Sequence, residues 1–171
     1  MMQSFLQDHE NHGFTLIEVL VVTIIISIIA ALATPNLLGL FRRSQVNSSL
    51  SNLTGAIKET QRQAIRQGTL CQIDIDTVNN ILAGSPDNCL LSDREINNNI
   101  IIRTNLSGTP PNISFSHKGS TTKSGTIVVS SDLASNQKCF VISLGLGITR
   151  TGNYIGSPSG NVSATKCDST S

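Results

Sequence analysis

Between Gly13 and Ala33 the sequence reads GFTLIEVLVVTIIISIIAALA, and this run constrains the chain more than any other stretch. From Val19 to Ala33 nothing is charged, and only Thr23 and Ser27 carry a hydroxyl. With Phe14 to Glu18 added, the run has about 20 residues, which as an α-helix rise roughly 30 Å, the thickness of a bilayer's hydrocarbon core. Residues 14–34 are therefore expected to form a membrane-spanning helix. Glu18 lies near the N-terminal edge of that helix. A carboxylate in hydrocarbon is costly, so it marks a functional position whose partner must be supplied from elsewhere.

Outside the run and the residues before it, about 130 residues remain, enough for one domain with a modest core. Trp is absent and only five Phe and one Tyr occur, while Ser, Thr, Asn and Gly are abundant. That composition suits a secreted, loop-rich β domain better than a tightly packed enzyme. Four cysteines, Cys71, Cys89, Cys139 and Cys167, lie beyond the apolar run. An even count in an exported domain points to two disulfides, with three pairings open and the two sequence-local pairs preferred. No two of them are close enough for a C-x-x-C zinc knuckle.

Residues 1–13 read as a short polar leader. After the apolar run, Pro35 is expected to kink or loosen the helix, because it removes a backbone donor and clashes one turn back. Residues 35–68 then continue as an amphipathic helix. Val46, Leu50, Leu53, Ile57, Ala64 and Ile65 recur at helical spacing, with Arg42, Lys58, Glu59, Arg62 and Arg66 largely off that face. Gly68 is placed to cap its end. From Leu70 the period changes to two, and residues 69–171 read as a β-rich domain. Strands are expected at 70–76, 81–83, 100–104, 113–117, 126–130, 139–144 and 148–151, with 156–171 a loop held only by Cys167. One long helix followed by antiparallel strands is an α+β arrangement, the second half of the helix lying on the sheet.

Gly13-Phe14-Thr15-Leu16-Ile17-Glu18, followed at once by the apolar run and by Pro35, resembles the processing site of type IV pilins and type II secretion pseudopilins. The resemblance implies the type IV pilin fold. It also implies cleavage by a prepilin peptidase between Gly13 and Phe14, and N-methylation of Phe14. Glu18 would then pair with the terminal amine of a neighbouring subunit, and so set the register of one helix against the next. In an apolar medium a carboxylate and an ammonium neutralise each other, whereas either alone is costly. The implied partners are other pilin subunits in a helical filament, the peptidase, an inner-membrane assembly platform and the membrane. The implied location is the bacterial cytoplasmic membrane, crossed once with the N-terminus inside, and then the periplasm or an extracellular pilus. Pilins often carry a disulfide in the C-terminal loop, which the Cys139–Cys167 pairing would match. A count of basic residues alone argues for the opposite orientation, since the leader has no Lys or Arg and Arg42 and Arg43 follow the run. The processing motif and the cysteines outweigh it.

In the second half, AIRQGTLCQIDI (64–75), ISFSHKG (113–119), GTIVVSS (125–131) and CFVISLGLGITR (139–150) follow in an order similar to that of FimT/GspH-type minor pilins and pseudopilins. A minor pilus subunit is the expected role, with a type II secretion pseudopilin as the alternative. Some members of this branch bind DNA through a Gly-Arg-x-Arg stretch, where this sequence has Gly147-Ile148-Thr149-Arg150 and keeps one of the two arginines. The resemblance thus makes Arg150, with Lys118, Lys123 and Lys138, a candidate phosphate-binding set. The competing reading is four solvated charges, favoured by their small number and by the lack of stacking aromatics beyond Tyr154.

Enzyme readings find little support. His9 and His12 lie in the leader, His117 stands in an expected strand without a nucleophile elbow, and no phosphate-cradling glycine loop or metal-ligand cluster is present. No catalytic residue, cofactor or metal is expected.

Overall fold

The computed structural model describes residues 14–132 and 134–169, with the side chains of 32–36, 134 and 135 outside that description. Gly13 and the rest of the expected leader lie outside it too. The chain divides into two compact units, residues 1–38 and 39–171.

Helix α1 runs Leu16–Gln67. It continues through position 35, the place of the expected kink or loosening, and the Pro35 side chain lies outside the described residues. Its end is closed by a Schellman motif. Gly68 turns to φ 66°, Thr69 N donates to Ala64 O and Gly68 N to Ile65 O.

Among the described residues of 39–171, nine strands form two antiparallel sheets rather than the single sheet expected. The first, in the order β3-β2-β1-β5, comprises Arg94–Glu95, Ile81–Ser85, Cys71–Asp76 and Asn112–Phe115. The second, β4-β6-β7-β8-β9, comprises Ile101–Thr104, Gly125–Ser131, Ala134–Ile142, Thr149–Tyr154 and Cys167–Asp168. Two bridges join them: Thr121 pairs with Phe115 at the end of β5 and with Gly145 in the β7–β8 loop.

The helix covers both sheets. Val46, Leu53, Ile57 and Ala64 share one buried cluster with Ile73, Ile75 and Ile113 of the first sheet and Ile127, Phe140 and Ile142 of the second. Alternate residues of the strands enter this cluster, which is the period-two signal of a sheet with one covered face. Ile65 departs from the expected stripe and is 53% exposed. At 3.6 residues per turn it sits about 100° around the helix from Ala64.

β6 is buried from Thr126 to Ser131, on both of its faces. The second face of its sheet holds Val128, Cys139, Val141 and Tyr154, which pack against Val162, Ala164 and Cys167 of the C-terminal segment. This corrects the expectation of a loop held only by Cys167. Arg103 Nη1 donates to Gly160 O (2.9 Å), Tyr154 Oη accepts from Ser163 N (3.1 Å), and β9 pairs with β8. The segment is polar, so nothing in its hydropathy pattern reveals that backbone and long-range side-chain bonds fasten it.

The four cysteines form the two sequence-local disulfides, Cys71–Cys89 and Cys139–Cys167. The first ties β1 to the loop after β2. The second ties β7 to β9.

Candidate assembly interface

In the N-terminal unit, every described side chain from Phe14 to Ala31 is exposed, including Leu16 (83%) and Ile17 (63%). Such an apolar surface on an isolated chain has to be covered by lipid or by other helices. The two hydroxyls of the run are satisfied within the helix: Thr23 Oγ1 donates to Leu20 O, and Ser27 Oγ to Thr23 O and Ile24 O. They add no polar demand. Among the described residues, nothing pairs with the Glu18 carboxylate. Glu18 stands in the first turn of α1, where the free N–H groups and the helix dipole favour a negative charge.

Thr15 makes this turn. Its Oγ1 accepts from Glu18 N (3.3 Å), and its carbonyl accepts from Glu18 N and Val19 N. The signal for Thr15 in the sequence is Thr-x-x-Glu before an apolar run, the spacing of a capping box. Phe14 immediately precedes it and is 79% exposed. Among the described residues no helix is long and apolar enough to cross a membrane, and the full 14–34 segment falls partly outside them.

The four cations proposed for phosphate lie on separate elements, and the described hydrogen bonds join no two of them. Arg150, on β8, donates from Nη2 to Ala164 O of the C-terminal segment. Lys138, on β7, donates to Asn153 Oδ1. Lys123 donates to Ser107 O and to Asn112 Oδ1. Lys118 is exposed in a turn whose Gly119 N donates to Ser116 O. His117 occupies the same turn rather than a strand, because β5 ends at Phe115 and Gly119 takes φ 77°. Among the described residues no group of His, Cys, Asp and Glu is arranged to hold a metal.

One helix laid across two antiparallel sheets, preceded by an exposed apolar helical segment with one carboxylate, defines a pilin-like structural subunit. Residues 9–34 match the prokaryotic N-terminal methylation motif, and residues 49–146 match the family described as Type II transport protein GspH. The chain belongs to that GspH family, whose members are structural subunits and not enzymes. No curated protein matches the sequence. Among solved structures it is similar to the type IV minor pilin FimU of Pseudomonas aeruginosa (strain PAO1). Identity is 12% and the TM-score 0.52, over 63% of this chain and 88% of that one. A second crystal form of FimU gives 12% and 0.50, over 61% and 90%. The minor pseudopilin EpsH of the Vibrio cholerae type 2 secretion system gives 13% and 0.48, over 62% and 94%.

Proposed function

We propose that the chain is a minor subunit of a type IV pilus, made as a prepilin and cut between Gly13 and Phe14. Phe14 is then the methylated N-terminus. The 14–34 segment anchors the subunit in the cytoplasmic membrane, with its N-terminus inside, until assembly. Its partners are a prepilin peptidase, an inner-membrane platform and neighbouring pilin subunits.

The observation that carries this reading is the exposed apolar helix from Leu16 to Ala31 with one carboxylate, Glu18, that has no partner among the described residues. Packed among other helices, that carboxylate needs a cation, and the free terminal amine of a neighbouring pilin subunit would supply one. Such a pair penalises any register that leaves the charge alone.

Intact mass and N-terminal sequencing of the chain from its host's membranes, with the peptidase present and deleted, test the reading. A methylated Phe14 terminus seen only with the peptidase is expected. An uncut chain in both strains would refute it. Glu18→Ala should insert into the membrane normally and enter filaments poorly.

A type II secretion pseudopilin is the second reading, favoured by the description of the matched family. Purification of the subunit with pilus or with secretion components separates the two. DNA contact through Arg150, Lys118, Lys123 and Lys138 is not advanced, because the cations are spread over different elements and three of them bond to their own chain.

A further inference from the structure

At the C-terminal end of α1, three segments meet around two glycines. Gln61 Nε2 donates to Gly119 O (2.8 Å). A Cβ on Gly119 would lie 2.8 Å from Ile65 Cδ1, and one on Gly147 would lie 3.0 Å from Gln61 Nε2 and 3.3 Å from Gly119 O. Thr121 and Gly145 exchange backbone hydrogen bonds beside them. The helix end, the 116–119 turn and the 143–148 loop are therefore one continuous surface.

That surface is apolar and cationic. Leu144, Leu146 and Ile148 project from the loop at 65%, 78% and 64% exposure, next to Ile65 at 53%. Arg62 and Lys118 flank them, both exposed. The sequence contains no Asp or Glu over 60–73, 104–131 or 133–167, the stretches from which the residues of this surface come. Ile65 also stands about 39 Å of helical rise from Gly39, where the domain's part of the helix begins.

We infer that the 143–148 loop and Ile65 form a docking surface for a neighbouring pilin-like subunit that presents an apolar face rimmed by carboxylates. The inference rests on the subunit reading above. Helical filaments are built from heterologous contacts, in which each subunit uses two different patches. This chain carries the complementary chemistry in a different segment. Between residues 67 and 102 it has five carboxylates against Arg94, which is engaged with Glu59, and there Val78 and Leu91 are 88% and 81% exposed. Apolar side chains at the centre supply the contact area, and opposite charges at the rim set orientation and partner choice. A nucleic acid would leave three branched aliphatic side chains without a stacking function, since base recognition uses aromatic platforms.

The test places a photocrosslinking benzophenone amino acid at position 146 of the full chain, in membranes and sheared filaments of the host, with a second probe at position 20. A cross-link from 146 to another pilin-like subunit is expected, mapping to a carboxylate-rich peptide. Its yield should fall about tenfold in the Arg62→Glu, Lys118→Glu double variant. If position 20 cross-links to pilins and 146 does not, the docking surface is refuted and the subunit reading stands. Adducts from 146 to lipid or nucleic acid alone refute it as well, as do pilin adducts indifferent to the charge reversal. Failure of both probes refutes the subunit reading and the inference with it.

Discussion

The Glu59 carboxylate on α1 is ion-paired with the Arg94 guanidinium on β3, and its other oxygen accepts Leu91 N at 3.0 Å. One carboxylate thereby holds the 86–95 segment against the helix from two directions. Glu59 is only 12% exposed and Arg94 34%, so the pair is partly withdrawn from water. Removing one partner strands the other polar groups near the core. Glu59→Ala should cost about 2 kcal/mol, read as a lower midpoint in urea unfolding of the detergent-solubilised chain. An unchanged midpoint would reduce the pair to a surface ornament.

The Cys139–Cys167 disulfide fastens the C-terminal segment over the second face of its sheet. It closes a loop of 28 residues in sequence separation, for which chain entropy gives about 3.5 kcal/mol. Cys139→Ser with Cys167→Ser should lower stability by that order. Hydrogen exchange should rise first over β9 and the segment that follows Tyr154, while β1 and β5 stay protected. Equal loosening of both sheets would show that the segment is part of the main core.

Asp76 closes the β1–β2 turn. Its carboxylate accepts Val78 N, Asn79 N and Asn79 Nδ2, and the Asn79 backbone bond is the largest cause of a pKa held below the ordinary carboxylate value. Because the folded pKa lies below the unfolded one, this group stabilises the fold fully above about pH 4 and loses that contribution as pH falls through the folded value. Melting temperatures across pH 2 to 6 should therefore fall less steeply toward acid in Asp76→Ala than in the parent. Identical slopes would contradict the assignment.

Thr15 caps α1 through Glu18 N. Thr15→Val keeps the shape of the side chain and removes the acceptor, at a cost of about 1 kcal/mol confined to the first turn. In micelles the Glu18 amide should exchange faster in Thr15→Val and remain slow in Thr15→Ser. Since Glu18 is the proposed register residue, the valine variant should also show reduced filament entry, with membrane insertion unchanged.

The helix and most strands are legible in the residues themselves, because their signals are local. The 14–33 run, the stripe through Val46, Leu53 and Ile57, the Gly68 stop and the alternation from Cys71 to Asp76 each report a neighbour a few positions away. The motif at Gly13 to Glu18 is legible for the same reason. Other features were decided only in three dimensions. Four cysteines admit three pairings until the strands bring Cys71 to Cys89 and Cys139 to Cys167. The division into two sheets is set by which strands pair, and their linkage by Thr121 meeting both Phe115 and Gly145, contacts with no periodic trace in sequence. The polar C-terminal segment becomes a cover because Arg103 reaches it from far along the chain and Tyr154 and β8 fold it back onto their own sheet. The cations at 118, 123, 138 and 150 fall on different elements, and their hydrogen-bond partners, Ala164, Asn153, Ser107 and Asn112, come from strand register and turn geometry that hydropathy does not record. Local patterns of hydropathy record how each element forms; long-range hydrogen bonds, which carry little hydropathy signal, decide what each element meets.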